Sequence, residues 1–223
     1  MNIDPTTLAN CALFEGIRQE DRIPMLGCLG AKTVSAAKIQ MIFREGDPAH
    51  SLGIVLTGSV QVIREDYYGN RSILARIGPA GLFAESFACA GAASLPISVV
   101  AVEDSTVLLI DSRRITQTCQ NACGFHSQMI FNMMKVVARK NLMLTQKLEI
   151  TSRRTTREKL MAYLLHQAKL HGSDTFTIPY DRQALADYLE VDRSAMSAEI
   201  SKLRRDGILD SSRSTFRLLS PNT

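Results

Sequence analysis

The stretch DRQALADYLEVDRSAMSAEISKL, residues 181–203, constrains this chain more than any other. Asp181 and Asp192 are of the residue type that accepts backbone N–H bonds at helix starts, and each precedes apolar positions at helical spacing. In the first segment Leu185 and Leu189 share a face, Ala186 leaves room for a crossing helix, and Val191 closes a turn. In the second, Met196, Ile200 and Leu203 recur at i, i+4 and i+7, which turns Ser194, Ser197, Ala198, Ser201 and Arg205 away from the core. Two short helices joined by a tight turn are therefore expected, with a small polar outward face beside Arg193. Such a face suits the DNA major groove, where a second helix sets its N-terminal residues against base edges while the first crosses the backbone. The competing reading is an ordinary surface helical hairpin. Glu190 favours it, because glycine is the easier residue at a turn of this kind.

The flanking sequence weighs toward DNA. ILDSSRSTFRLL, residues 208–219, places two apolar runs around a Ser-Arg-Ser turn and predicts a small hairpin, or wing. Arg213 at its tip and Arg182 at the start of the first helix are in reach of phosphates. Residues 151–223 carry 12 Lys+Arg against 9 Asp+Glu, whereas residues 1–150 carry 14 against 13, so the basic excess lies in the last third. The candidate DNA-contacting set is Arg182, Gln183, Asp192, Arg193, Ser194, Ser197, Ser201, Arg205 and Arg213.

A chain of 223 residues with 45% hydrophobic composition holds one large domain or two ordinary ones. No signal peptide and no apolar run of about 20 residues is present, so a cytoplasmic protein without membrane attachment is expected. Cys11, Cys28, Cys89, Cys119 and Cys123 are odd in number and form no C-x-x-C pair, which argues against a disulfide framework.

From Lys32 to Ile110 the texture is one of short apolar runs separated by turns. Lys38–Phe43, Leu52–Leu56, Val60–Ile63, Ile73–Ile77, Ile97–Val102 and Val107–Ile110 are broken by Gly, Pro, Asp and Asn. An α+β fold is expected, with an N-terminal antiparallel β-roll, cupin-like and able to enclose a small cavity. The period then becomes helical. Ile130, Met134, Val137, Asn141, Leu144 and Leu148 step by four and three, a heptad seam carrying one asparagine, and predict a long helix that pairs with a second copy of itself. The competing reading is a helix packed only on its own sheet. The expected domains are residues 1–122 (sensing β-roll), 123–151 (dimerisation helix) and 152–223 (winged helix-turn-helix). Thr155 or Thr156 caps the next helix, which ends at His171-Gly172, and Arg153, Arg154 and Arg157 cluster where a hinge would lie.

This order, with the glycine and leucine spacing of GDPAHSLGIVLTGSV (46–60), the LFAES run (82–86) and the 181–203 motif, resembles the cyclic-AMP receptor / fumarate-nitrate reduction regulator family over nearly the whole chain. The resemblance implies a cyclic-nucleotide-binding type of β-roll that takes an effector, a dimer helix that passes on the change, and two recognition helices on a palindromic double-stranded site, with RNA polymerase a further implied partner. It implies an effector site around Phe83, Glu85, Ser86, Leu95 and Pro96. Glu85 matches the glutamate of nucleotide-binding members, but Ala84 stands for their glycine, and Leu95-Pro96 for the arginine-serine pair that clamps the cyclic phosphate. Leu144–Thr145 only half matches the pair that reads adenine. Cyclic AMP is therefore expected to bind poorly, and a neutral or cationic organic effector is favoured by Glu85 as the one fixed charge. A glutamate common at the position of Ser194 and an arginine at that of Ala198 are missing, so the half-site should differ from the best-known one.

No cofactor or metal is expected. Cys11 and Cys28 do not cluster as an iron-sulfur site requires. Cys119 and Cys123, at i and i+4, are a thiol-redox alternative weighed against small buried hydrophobes, and His126 is expected as a surface or capped histidine rather than a ligand. A cupin-like metal enzyme is the reading from another class. It needs a His/Glu cluster on facing strands, and the strand region offers only His50, in a turn.

Overall fold

The computed structural model describes residues 4–116 and 125–219. The chain divides into two compact units, residues 1–70 with 74–141 and residues 71–73 with 142–223.

The first unit opens with helix α1 (Pro5–Asn10), capped by Asp4, whose side chain accepts from the Thr6 N–H, with proline in the first turn. A 3-10 turn (Ala12–Phe14) and α2 (Gln19–Cys28) follow. Eight strands come next: β1 (Lys32–Ala36), β2 (Met41–Phe43), β3 (Ser51–Thr57), β4 (Val60–Glu65), β5 (Arg71–Ile77), β6 (Leu82–Phe83), β7 (Ser98–Ala101) and β8 (Ser105–Asp111), with α3 (Glu85–Cys89) between β6 and β7. They form two four-stranded sheets, ordered β1-β8-β3-β6 and β2-β7-β4-β5. Helices α4 (Arg113–Thr116) and α5 (Phe125–Thr151) complete the set.

Alternation along a strand sends successive side chains to opposite faces. On β3, Val55 faces the roll interior with Val107 of β8, and meets Val60, Val62 and Val99 from the other sheet. Leu52, Ile54 and Leu56 of the same strand, with Leu108 and Ile110, pack outward against α1, α2 and Met129, Met133 and Val136 of α5. Both faces of β3 are thus covered, which is why SLGIVL reads as a continuous apolar run. Gly53 lies on the roll side where Phe83 crosses it. A Cβ there would stand 1.9 Å from the Phe83 ring. Gly58, at φ +76 in the turn to β4, would put a Cβ 2.5 Å from the Asp104 carbonyl oxygen.

Two strand expectations are corrected. Lys32–Ala36 is an edge strand, β1, missed because only its Val34 and Ala36 are apolar, and both partly or fully buried. The run expected from Lys38 begins as strand only at Met41, since Ile39 is exposed and turns at φ +73.

Helix α5 carries two apolar faces. Met129, Asn132, Met133 and Val136 are buried, whereas Ile130, Met134, Leu144 and Leu148 are exposed, Val137 is partly so and Asn141 is exposed. The side chain of Asn132 is fully buried and donates through Nδ2 to the carbonyl oxygens of Leu13, at 2.9 Å, and Glu15, at 2.7 Å. It ties the N-terminal segment to the helix. Asn132→Leu should strip both carbonyls of their donor and lower stability by about 1–3 kcal/mol, read by urea unfolding followed by circular dichroism.

The second unit holds α6 (Thr156–His171), β9 (Thr175–Thr177), α7 (Arg182–Leu189), α8 (Arg193–Arg205), β10 (Leu209–Ser212) and β11 (Thr215–Leu218). A capping box between Thr155 and Glu158 starts α6, and Gly172 ends it in the left-handed conformation. The strands pair as β10-β11-β9. The boundary between the units falls inside α5, at Asn141/Leu142, where the sequence suggested three segments divided at 122/123 and 151/152.

Candidate reading head and effector site

Asp181 caps α7 through the Ala184 N–H at 2.8 Å, and Asp192 caps α8 through the Ala195 N–H at 2.9 Å. Leu185, Ala186 and Leu189 of α7 and Met196, Ile200 and Leu203 of α8 are all buried, so the two expected apolar faces meet in one core. Arg157 fixes α6 to α8 through Glu199, at 3.0 Å, and lies 3.7 Å from Asp206, which gives this arginine a structural task rather than that of a free hinge charge.

The turn is made by Glu190 itself, at φ 55 and ψ 55. This left-handed backbone is costly for a side chain bearing a Cβ. Contacts from two other helices hold it there. The Lys159 ammonium donates to the Glu190 carbonyl at 3.2 Å, and Lys147 of α5 lies 3.8 Å from its carboxylate. Lys147 is itself buried, donates to the Ile73 carbonyl at 2.7 Å, and sits 4.9 Å from the centre of the Tyr188 ring. The residue that weighed against the motif is thus accommodated by lysines distant in sequence.

On the outward side of α8, Arg193, Ser194, Ala198, Ser201 and Arg205 are exposed and Ser197 is partly so. Arg193 has no hydrogen-bond or ionic partner among the described residues. Arg213 is exposed at the wing tip with φ 50. Five members of the expected DNA-contacting set make hydrogen bonds within the protein: Ser201 donates to the Ser197 carbonyl at 3.0 Å, Ser194 donates to Asp192, and Asp192, Gln183 and Arg182 are held as follows. Asp192 is occupied by its cap and by the Ser194 hydroxyl, and these bonds hold its carboxyl below the usual range. Gln183 donates to Asp187 at 2.7 Å. Arg182 packs over the Phe216 ring, 4.8 Å from its centre, and donates to Ser211 at 3.1 Å. Burial, with Arg204 nearby, lowers its pKa, and its contacts with Phe216 and Ser211 fasten α7 to the wing.

In the first unit, Phe83 and Leu95 lie in the roll core, where Phe83 meets Phe43 edge to face at 5.7 Å, while Ser86 and Pro96 are exposed. The expected apolar lining is thus divided between core and surface. Ala84, where nucleotide binders have glycine, takes φ 61. Glu85 is only 2% exposed, and the expectation that it is the one fixed charge there is corrected by Lys140 of α5. The Lys140 Nζ lies 2.8 Å from each carboxylate oxygen and 2.6 Å from the Leu82 carbonyl oxygen, donating to Glu85 Oε2 and to that carbonyl. The Ser86 hydroxyl donates to the same carboxylate at 3.2 Å. Sequence reasoning missed Lys140 and Lys147, although both follow the buried α5 face at helical spacing after Met129, Met133 and Val136.

Burial pushes the Cys11 thiol up to about 11, which makes it a packing group rather than a nucleophile. Cys119 and Cys123 lie outside the described residues. His126, expected as a surface or capped histidine, is 4% exposed and lies against Phe125. Among the described residues no cluster of His, Cys, Asp and Glu is arranged to hold a metal, and no helix is long and apolar enough to cross a membrane.

Residues 33–122 match the cyclic nucleotide-binding domain family, and residues 158–223 match the Crp-like helix-turn-helix domain family. Among solved structures, the chain is similar to FixK2 from Bradyrhizobium japonicum, at 23% identity over 84% of this chain and 92% of that one, with a TM-score of 0.66. It is similar to the c-di-GMP responsive global regulator CLP of Xanthomonas campestris, at 18% identity over 90% and 99%, with a TM-score of 0.73. A CooA mutant from Carboxydothermus hydrogenoformans gives 19% identity over 87% and 85%, with a TM-score of 0.68. No curated protein matches the chain.

Proposed function

Because the chain belongs to the cyclic-AMP receptor / fumarate-nitrate reduction regulator family of transcription regulators, we propose that it acts as a homodimer on a two-fold symmetric DNA site, gated by a small effector at the β-roll. The observation that carries this reading is the exposed face of α8, where Arg193 stands without a partner among the described residues at the end that enters a major groove. A dimer is supported by the second apolar face of α5, exposed at Ile130, Met134, Leu144 and Leu148 while the opposite face is buried. The two half-site centres should lie about 34 Å apart, one helical turn.

Arg193 reads a guanine through its O6 and N7 acceptors in this proposal. Arg193→Ala should weaken binding by about 1–3 kcal/mol and relax preference at one base pair per half-site, measured by fluorescence anisotropy on a duplex selected from a random pool and on its single-base variants. Equal loss on every sequence would make Arg193 a phosphate contact instead.

The effector is proposed not to be cyclic AMP. A cyclic phosphate would meet no arginine at Leu95 or Pro96, and the nearby ammonium, Lys140, is already paired with Glu85 and bonded to the Leu82 carbonyl. Calorimetric titration with cyclic AMP should give no binding at micromolar concentrations. A micromolar dissociation constant would overturn this reading. The pair also removes the electrostatic ground for favouring a cationic effector, since Glu85 arrives already neutralised.

A further inference from the structure

A groove of about 500 Å³ lies at the C-terminal end of α8, lined by Ser201, Arg204, Arg205, Leu209, Asp210, Arg217 and Leu219. One wall is the last two turns of α8, the other the paired strands β10 and β11, in which Asp210 stands directly across from Arg217. Leu209, 1% exposed, belongs to the core beneath. Three guanidinium groups share this space with one carboxylate. Arg204 is paired to that carboxylate, its Nε donating to Asp210 Oδ1 at 3.1 Å. Arg205 and Arg217 are exposed and make no ion pair among the described residues, the Asp210 that faces Arg217 being bonded to Arg204. The groove therefore holds two uncommitted positive charges, an anion-selective arrangement that the structure does not satisfy from within.

Ser201 and Arg205 also end the outward stripe of α8 that begins at Arg193. A helix from Arg193 to Arg205 is about 18 Å long at 1.5 Å per residue, whereas the major groove is about 12 Å wide. A helix whose first turn touches base edges thus brings its last turn to the sugar-phosphate backbone bordering that groove. We propose that the groove between α8 and the wing seats a backbone phosphate flanking each half-site, held between Arg205 and Arg217. This rests on the reading of the second unit as a DNA-reading head. The ligand chemistry is a phosphodiester, whose paired oxygens suit bidentate guanidinium contacts. Such a contact positions the protein on the duplex and carries no sequence information of its own.

Each neutralised phosphate steepens the dependence of log binding constant on log salt by about 0.9. For a dimer, Arg217→Gln should therefore flatten that slope by about 1.8 and cost about tenfold or more in affinity at low salt, by the same factor on a selected duplex and on a scrambled one. Arg205→Gln should act alike. Asp210→Asn keeps the acceptor oxygen for Arg204 and the Ser211 N–H but removes the only carboxylate, so it should strengthen binding severalfold, a gain that misfolding does not mimic. The measurement is anisotropy titration of the full chain across a salt series, with thermal unfolding of each variant. Unchanged slopes in both arginine variants, in protein that still binds the selected duplex through Arg193, would overturn the phosphate clamp. Loss confined to transcription with RNA polymerase, DNA affinity being unaltered, would also overturn it, assigning the groove to an acidic protein surface. Absence of any binding to the duplex by the unsubstituted protein is a different result, the failure of the DNA-reading head itself.

Discussion

Lys140→Met should lower the stability of the β-roll unit by about 2–4 kcal/mol. The substitution leaves the Glu85 carboxylate, 2% exposed, without its cation and the Leu82 carbonyl without a donor. Removing one partner of a buried pair typically costs about 3–5 kcal/mol, and the range is set lower here because the Lys140 side chain is 28% exposed and water relieves part of the charge. Glu85→Gln combined with Lys140→Met should recover much of the loss, since the double substitution leaves no buried charge. Urea unfolding of both single variants and the double one, followed by far-ultraviolet circular dichroism, forms a cycle that isolates the pair. Additive losses would mean that the carboxylate finds another partner.

Converting the exposed α5 face to charge, by Met134→Glu with Leu148→Glu, should turn a dimer into a 24.6 kDa monomer in sedimentation at micromolar concentration. Met134 is 63% and Leu148 66% exposed in the single chain, so the protomer should keep its fold while the paired helices repel. Two linked reading heads gain roughly 10²–10⁴ in avidity over one, and DNA affinity should fall by a factor in that range. A variant that remains dimeric would place the interface elsewhere.

The elements whose causes are local were legible in sequence. Asp181 and Asp192 announce two helix starts and the Thr155-Thr156 pair a third, capped by Thr155, and the apolar spacings of α7 and α8 place their buried faces on the correct residues. The strands of the roll were legible where both faces are covered, as in β3, and obscure where one face meets water, as in β1. The effector region was the least legible. Its decisive partner, Lys140, is 55 residues from Glu85, and lies on a stripe beside the heptad seam of Ile130, Met134 and Val137, where Lys140 and Lys147 interrupt an apolar face. The packing of Arg182 was hidden for a related reason, since Phe216, the ring beneath it, lies 34 residues onward.

The turn at Glu190 bears on where this protein is divisible. Its left-handed backbone is held by Lys159 from α6 and by Lys147 from α5, and Lys147 lies before residue 152, where the composition of the chain suggests that a separate domain begins. A reading head excised at residue 152 would keep the strained turn and lose one of the two cations beside it. The transplantable piece of this chain is longer than its helix-turn-helix. A fusion that carries the head to another sensor should retain the end of α5 from Leu142, so that the turn travels with its supports.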